Sequence, residues 1–376
     1  MGNLTANNLN QQPGKTANVV TIVILSRGNC GLSKCVSVYM VAMATADLLV
    51  MTFDVIVYRM FNYRFPYSFM SHIAVSNLVS IVILSRGNCS LSKCISVYMV
   101  SMATADLLVI IFNVIVSHIL NYQFPNSFLS FTSVCKFTQY MNSATLETSV
   151  WFTVLFTFDR FVVICWERLK TKYCTKRTAS AVIITVSVLI CLKNIPISFS
   201  YEPERIINNE LWGCLMTVDF LTLPAWAVYN LIRSITVPWL PFMLMALLNS
   251  LTVRRILLTS RARRAIRGKD SENQADSEME NRKKSIILLF TISGSFILLW
   301  TTAAVTFLTT RVITTVYYHG DCTSPAYIAT ETGLMLMYLS SCTNTCIYAA
   351  TQRKFREELK IMVNYPWTLI LRSFKQ

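Results

Sequence analysis

Hydrophobic positions in this chain come in long, nearly unbroken blocks. Cys35–Tyr58 and Cys94–His118 are near-copies of one block, and Phe131–Cys165, Ala179–Phe199, Pro224–Val253, Ser285–Thr310 and Ser324–Ala350 follow. Each is about 20 residues or longer, enough at 1.5 Å per residue to cross roughly 30 Å of hydrocarbon. Two shorter apolar pieces precede the twin blocks: Ala17–Ser26 is too short to span alone, and His72–Ser85 is borderline. The pattern predicts an all-α membrane protein, a seven-transmembrane helix bundle with an extra duplicated helix segment near the N-terminus.

Composition supports this reading. The chain is 53% hydrophobic and only 14% charged, where a soluble domain carries about 25% charged residues. The net charge of +15 raises nucleic acid as a partner, but its distribution argues against that. Arg254–Lys284 holds ten Lys/Arg and Cys165–Thr178 holds five, while Ser200–Leu223 has Glu202, Glu204, Glu210 and Asp219 against Arg205. Basic loops stay in the cytoplasm, and their charge suits anionic lipid. The expected topology has the N-terminus outside and the basic tail inside the plasma membrane, with membrane lipids as partners and no nucleic acid.

The first 16 residues are polar, with no apolar core of a cleavable signal peptide. Asn3-Leu4-Thr5 is a glycosylation sequon on the expected outer side. Asn88-Cys89-Ser90 is another, in an expected cytoplasmic loop where it would go unused.

Ile22–Phe69 aligns with Ile81–Phe128 at a constant offset of 59, with 36 of 48 positions identical. Repeat architectures tile a chain with one unit; two adjacent, very similar copies read instead as a recent duplication. The expected organisation is an extracellular N-terminus (1–16), a duplicated partial helix 1/helix 2 segment (17–70), a receptor domain (71–351), and helix 8 with the cytoplasmic tail (352–376). Transporters are usually built from inverted repeats or broken helices, and this repeat is direct and local. Enzyme chemistry has little support: there is no Gly-rich phosphate loop, no Ser-His-Asp set, and the histidines are His72, His118 and His319 alone.

Several polar residues interrupt the apolar blocks. Cys135 and Arg160 lie 25 residues apart in one block, about 37 Å along a helix, so they stand at opposite membrane faces. Asp106 lies mid-block, where an ionisable group is costly and marks function by default. Asn77, Ser149, Ser340, Ser341 and Asn344 are further polar interruptions. Each alone reads equally as a helix–helix hydrogen bond.

Taken together, these residues resemble the rhodopsin-like G-protein-coupled receptors. Asp159-Arg160-Phe161 resembles the helix 3 Asp/Glu-Arg-Tyr motif, with Phe161 in place of Tyr. Asn344-Thr345-Cys346-Ile347-Tyr348 resembles Asn-Pro-x-x-Tyr, with Thr345 in place of Pro. Phe296 and Trp300 match the helix 6 switch pair, though Thr302 stands where its Pro would be. Pro241 matches the helix 5 Pro. The resemblance implies a G-protein-coupling site at Asp159, Arg160, Phe161 and Tyr348. It further implies a polar cluster at Asn77, Asp106, Ser149, Ser340, Ser341 and Asn344, with an allosteric sodium ion beside Asp106 as the one implied cofactor, and a Cys135–Cys214 disulfide. Cys30, Cys35, Cys89 and Cys94 have metal-like spacing, but they are copies of one loop and read as free thiols.

The phrases ILSRGNCGLSKC, CLKNIPISF, FTFDRF, LSSCTNTCIYA and KFREELK are similar to the subgroup of probable G-protein coupled receptor 139 and its relatives. That likeness implies aromatic amino acids or related peptides as agonists and a Gq-type heterotrimeric G protein as partner. Asn142 stands where amine receptors keep an Asp. Glu147 and Arg233 can both face the bundle, as a pair reading a ligand's amino and carboxylate groups or as a structural ion pair.

Overall fold

The computed structural model describes residues 67–87, 92–120, 127–166, 173–266, 273–312 and 325–362. The first copy of the duplicated hairpin, Asn3, Cys30, Cys35 and Cys89 lie outside them. Helix α1 (Tyr67–Ser85) is followed by α2 (Lys93–Val109), which continues in wider π-type turns over Ile110–Leu120. Helix α3 (Thr132–Cys165) has 34 residues, roughly 50 Å of rise. Helix α4 (Lys176–Asn194) ends in a 3-10 turn, Ile195–Phe199. Helix α5 (Pro224–Ser234) passes through a π-type turn, Ile235–Trp239, into α6 (Leu240–Ile266). Helices α7 (Asn273–Val312) and α8 (Pro325–Thr351) complete the bundle, and 353–362 form a further helix.

Local sequence explains the element boundaries. The Ser92 hydroxyl accepts from the Ile95 amide at 3.4 Å, and Thr175 accepts from Thr178 at 3.1 Å, each satisfying an N–H that a helix start leaves orphaned. Pro224 opens α5, where a missing N–H costs nothing. Pro238 and Pro241 each remove one helical hydrogen bond, and the wide turn lies where they do so.

Among the described residues, five helices are long and apolar enough to cross a membrane: Lys93–Ser117, Thr132–Cys165, Lys176–Phe199, Pro224–Thr259 and Ile286–Thr309. Helix α1 contributes a shorter apolar stretch, Ala74–Ser85. The exposed faces are apolar, as hydrocarbon requires: Ile184, Val188, Leu189 and Leu192 point out from α4. The buried face carries the polar groups, the reverse of a soluble bundle. Gly333 permits a close approach of α7 and α8; a Cβ there would lie 2.9 Å from the Ala303 backbone, the use small residues have between membrane helices.

The loop after α4 departs from an all-α reading. Strands β1 (Tyr201–Glu202) and β4 (Leu215–Met216) pair antiparallel, as do β2 (Arg205–Ile207) and β3 (Glu210–Trp212). Asn208 and Asn209 turn the inner hairpin at φ 52° and 66°, the left-handed region that asparagine tolerates in two-residue turns. The signal in the sequence is Asn208-Asn209 between Ile206-Ile207 and Glu210-Leu211-Trp212.

Candidate functional site

The hairpin is tied over the start of α3. Cys135 and Cys214 form a disulfide with a Cα–Cα distance of 6.0 Å. The Gly213 amide donates to the Ser130 carbonyl at 2.7 Å, the Thr132 hydroxyl to the Gly213 carbonyl at 2.8 Å, and the Phe131 and Trp212 rings stand 4.6 Å apart. This end of the helices is therefore roofed by a covalently held loop.

Beneath it, α3 carries the three residues the sequence offered as ligand contacts, or faces them. Asn142 donates to Ser117 at 2.7 Å, and Asn113 donates to the Asn142 carbonyl at 3.3 Å. Glu147 is buried and forms an ion pair with Lys193. It also accepts from Asn194 at 2.8 Å. Lys193 donates in addition to Thr236 at 2.6 Å. Arg233 donates to Ser143, one helical turn from Glu147. Lys193 and Asn194 are thus the partners that sequence reasoning missed. Their signal was two polar residues in CLKN at the end of an apolar block.

The expected switch pair is in contact. Phe296 stacks on Trp300 at 5.0 Å, and Phe242 meets Phe296 edge-on at 6.0 Å. Asn249 donates to Ser293 at 2.7 Å and so joins α6 to α7.

Asp106 lies at the centre of the polar cluster, 1% exposed. Ser149 donates to its Oδ1 at 2.5 Å and Asn344 to its Oδ2 at 2.8 Å. The charge that the sequence placed mid-membrane is therefore joined to α3 and α8. Asn77 donates to the Ser341 carbonyl at 2.9 Å, and Ser80 to Thr345 at 2.9 Å. Ser340 is buried on the same helix. Buried oxygen atoms around one carboxylate match the donor set of a hard monovalent cation.

The other end of α3 holds Asp159 and Arg160, 0% and 2% exposed, as an ion pair. The Arg160 Nε–Asp159 Oδ2 distance is 3.1 Å, and the guanidinium carbon lies 5.8 Å from the Phe156 ring centre. The opposite carboxylate oxygen, Oδ1, accepts from the Cys94 thiol at 3.1 Å and the Cys174 thiol at 3.6 Å. Burial and the Asp159 charge push the Cys174 thiol up to about 11, so it stays a donor at neutral pH. Phe161 is buried with Val162, Cys165 and Leu248. Tyr348 is fully buried against Phe355, ring centres 5.9 Å apart. Its hydroxyl has no hydrogen-bond partner among the described residues. Arg356 caps α8 by donating to the carbonyls of Ala349 and Ala350 at 2.9 and 2.8 Å, as cations do at helix C-termini.

Helix α3 thus links the disulfide-held loop at one end, a hydrogen bond to the buried Asp106 along its length and a restrained arginine toward its other end. The family model of the 7 transmembrane receptor (rhodopsin family) matches this chain over residues 76–348.

Proposed function

The chain belongs to the rhodopsin family of seven-transmembrane receptors, and from that premise we propose that it carries an extracellular signal to a heterotrimeric G protein of the Gq type. In this reading α1 and α8 complete the seven spans, the disulfide-held hairpin faces outward, and the Arg160 end faces the cytoplasm of a cell whose plasma membrane holds the receptor. The agonist is an aromatic amino acid or a related peptide. It enters beneath the hairpin and meets Asn142, Glu147 and Arg233.

The observation that carries the proposal is the buried Asp159–Arg160 pair. An arginine kept only for solubility would reach water past the helix end. Arg160 is instead folded back onto its neighbour, a restrained cation that a change of helix packing can release to the G protein. Agonist acts by binding the released arrangement more tightly than the restrained one. Asp106, Ser149 and Ser340 would hold a sodium ion, which supplies a positive charge between α2, α3 and α8. Asp106, Ser149 and Asn344 favour the resting packing through the hydrogen bonds they already make.

The test is calcium release in cells expressing the full chain, challenged with aromatic amino acids. Arg160→Ala should abolish the response at equal surface expression, and a response of wild-type size in that variant would overturn the reading. The duplication supports one alternative, a product that does not signal because the first copy displaces the start of helix 1. Surface staining separates the two, since the alternative expects retention inside the cell.

A further inference from the structure

We propose that Cys94, Cys174 and Asp159 form a binding site for a divalent cation of intermediate softness, zinc, at the end of the helices where Arg160 lies. The three residues come from separate elements: the first turn of α2, the end of α3, and the segment just before α4. Their ligand atoms all lie within 4.8 Å of one another. The two sulfurs stand 3.1 and 3.6 Å from the same carboxylate oxygen.

Tetrahedral zinc has Zn–S near 2.3 Å and Zn–O near 2.1 Å, so its ligand edges are about 3.6 Å for S–O and about 3.8 Å for S–S. The two S–O distances, 3.1 and 3.6 Å, lie close to that S–O edge, and the two sulfurs lie within 4.8 Å of each other. Two thiolates and a carboxylate also select by softness: they suit zinc and exclude magnesium or calcium, which take oxygen ligands. Charge closes as well. Two thiolates and Asp159 total three negative charges, against two on zinc and one on Arg160. Cys94 and Asp159 are buried and Cys174 is half-buried, so Cys174 marks the side from which the ion enters and a water completes its shell. Binding forms two Zn–S bonds and one Zn–O bond and releases the two thiol protons to solvent.

The ion takes Asp159 Oδ1 while Arg160 holds Oδ2. It therefore draws charge away from the pair that restrains Arg160. This consequence rests on the coupling role proposed above: zinc weakens the restraint and raises agonist-independent nucleotide exchange.

The test uses full-length receptor in lipid nanodiscs, kept reduced with a phosphine, with Co²⁺ as the spectroscopic probe and Zn²⁺ as competitor. The expected result is a thiolate-to-cobalt charge-transfer band equivalent to one ion per receptor. Zinc should remove it, and Cys94→Ser and Cys174→Ser should each abolish it. Iodoacetamide labelling of the unaltered receptor, read by peptide mass, needs no variant; zinc should protect Cys174. A band that survives either substitution, a band that depends instead on Cys30, Cys35 or Cys89, or labelling of Cys174 unaffected by zinc overturns the site. Zinc bound with no change in basal exchange overturns the regulatory consequence alone. A receptor that never drives exchange, with or without zinc, overturns the coupling role and leaves the metal site standing on its binding data.

Discussion

Ser80 on α1 donates a 2.9 Å hydrogen bond to Thr345 on α8, a buried contact between residues 265 positions apart. Thr345 stands where the related motif has proline, and its hydroxyl lies 3.4 Å from the Ser76 carbonyl. The residue that removes the proline thus adds a tie between α1 and α8. Thr345→Val should lower the thermal stability of the solubilised receptor by about 1 kcal/mol, the scale of a hydrogen bond between membrane helices. Ser80→Ala with Thr345→Val should cost less than the sum of the single changes, because both delete one bond. Strict additivity in the melting data would count against the contact.

The same region predicts tolerance of Thr345→Pro. In a helix the Thr345 amide would bond the Ser341 carbonyl, four residues back, and proline deletes that bond. The Ser341 carbonyl already accepts from Asn77 at 2.9 Å, so it would not be left unsatisfied. Thr345→Pro should keep most surface expression, and Asn77→Ala should become far more damaging in that background than alone. Equal effects in both backgrounds would refute the argument.

Much of this was legible in the sequence, and the reason is physical. A charge inside hydrocarbon must be paired, so Asp106 announced itself, and Ser149 and Asn344 could be named as its company by resemblance. The Cys135–Cys214 bond was likewise named by resemblance. Contacts that hang on packing between distant blocks were not legible. Lys193 lies 46 residues from Glu147, and no periodicity links them. Cys94 read as a free thiol, and no spacing linked it or Cys174 to Asp159, which both reach only once α2 and the approach to α4 are brought against α3. The hairpin was hidden because its strands are only two or three residues long.

The Glu147–Lys193 pair should behave as a unit. Removing one partner of a buried pair leaves an uncompensated charge, a loss of about 3–5 kcal/mol for fully buried groups. Lys193 is 27% exposed, so Lys193→Met should cost less than that range. Glu147→Gln with Lys193→Met should recover stability lost in the worse single variant, as read by melting of the purified receptor. If Glu147 also meets agonist, Glu147→Gln will shift potency beyond any change in surface level. Potency unchanged in Glu147→Gln would assign the pair a structural role alone.

The disulfide spans a sequence separation of 79 residues. A cross-link of that span limits an unfolded chain by roughly 4 kcal/mol in the loop-entropy account, an upper bound where membrane insertion already confines the ends. Cys135→Ser and Cys214→Ser should each lower the melting temperature, and the double variant should be no worse than either. A double variant clearly less stable than both would show that each cysteine makes separate contributions.

The final prediction concerns which copy of the duplicated segment works. Asp47 and Asp106 occupy equivalent positions in segments identical at 36 of 48 sites, so local sequence alone cannot choose between them. The structure shows the company of the second copy: Asp106 bonds Ser149, 43 residues away, and Asn344, 238 residues away, and Asn77 reaches Ser341. A carboxylate tied to two other helices sets their spacing, and its charge attracts the sodium ion proposed above. Asp106→Asn should therefore alter agonist response and abolish sodium sensitivity of agonist binding at matched surface expression. Asp47→Asn should change neither, and deletion of residues 17–70 should leave signalling intact. Loss of signalling in the deletion at normal surface level would show that the first copy takes part in function, and a sodium effect that follows Asp47 would place the working carboxylate there.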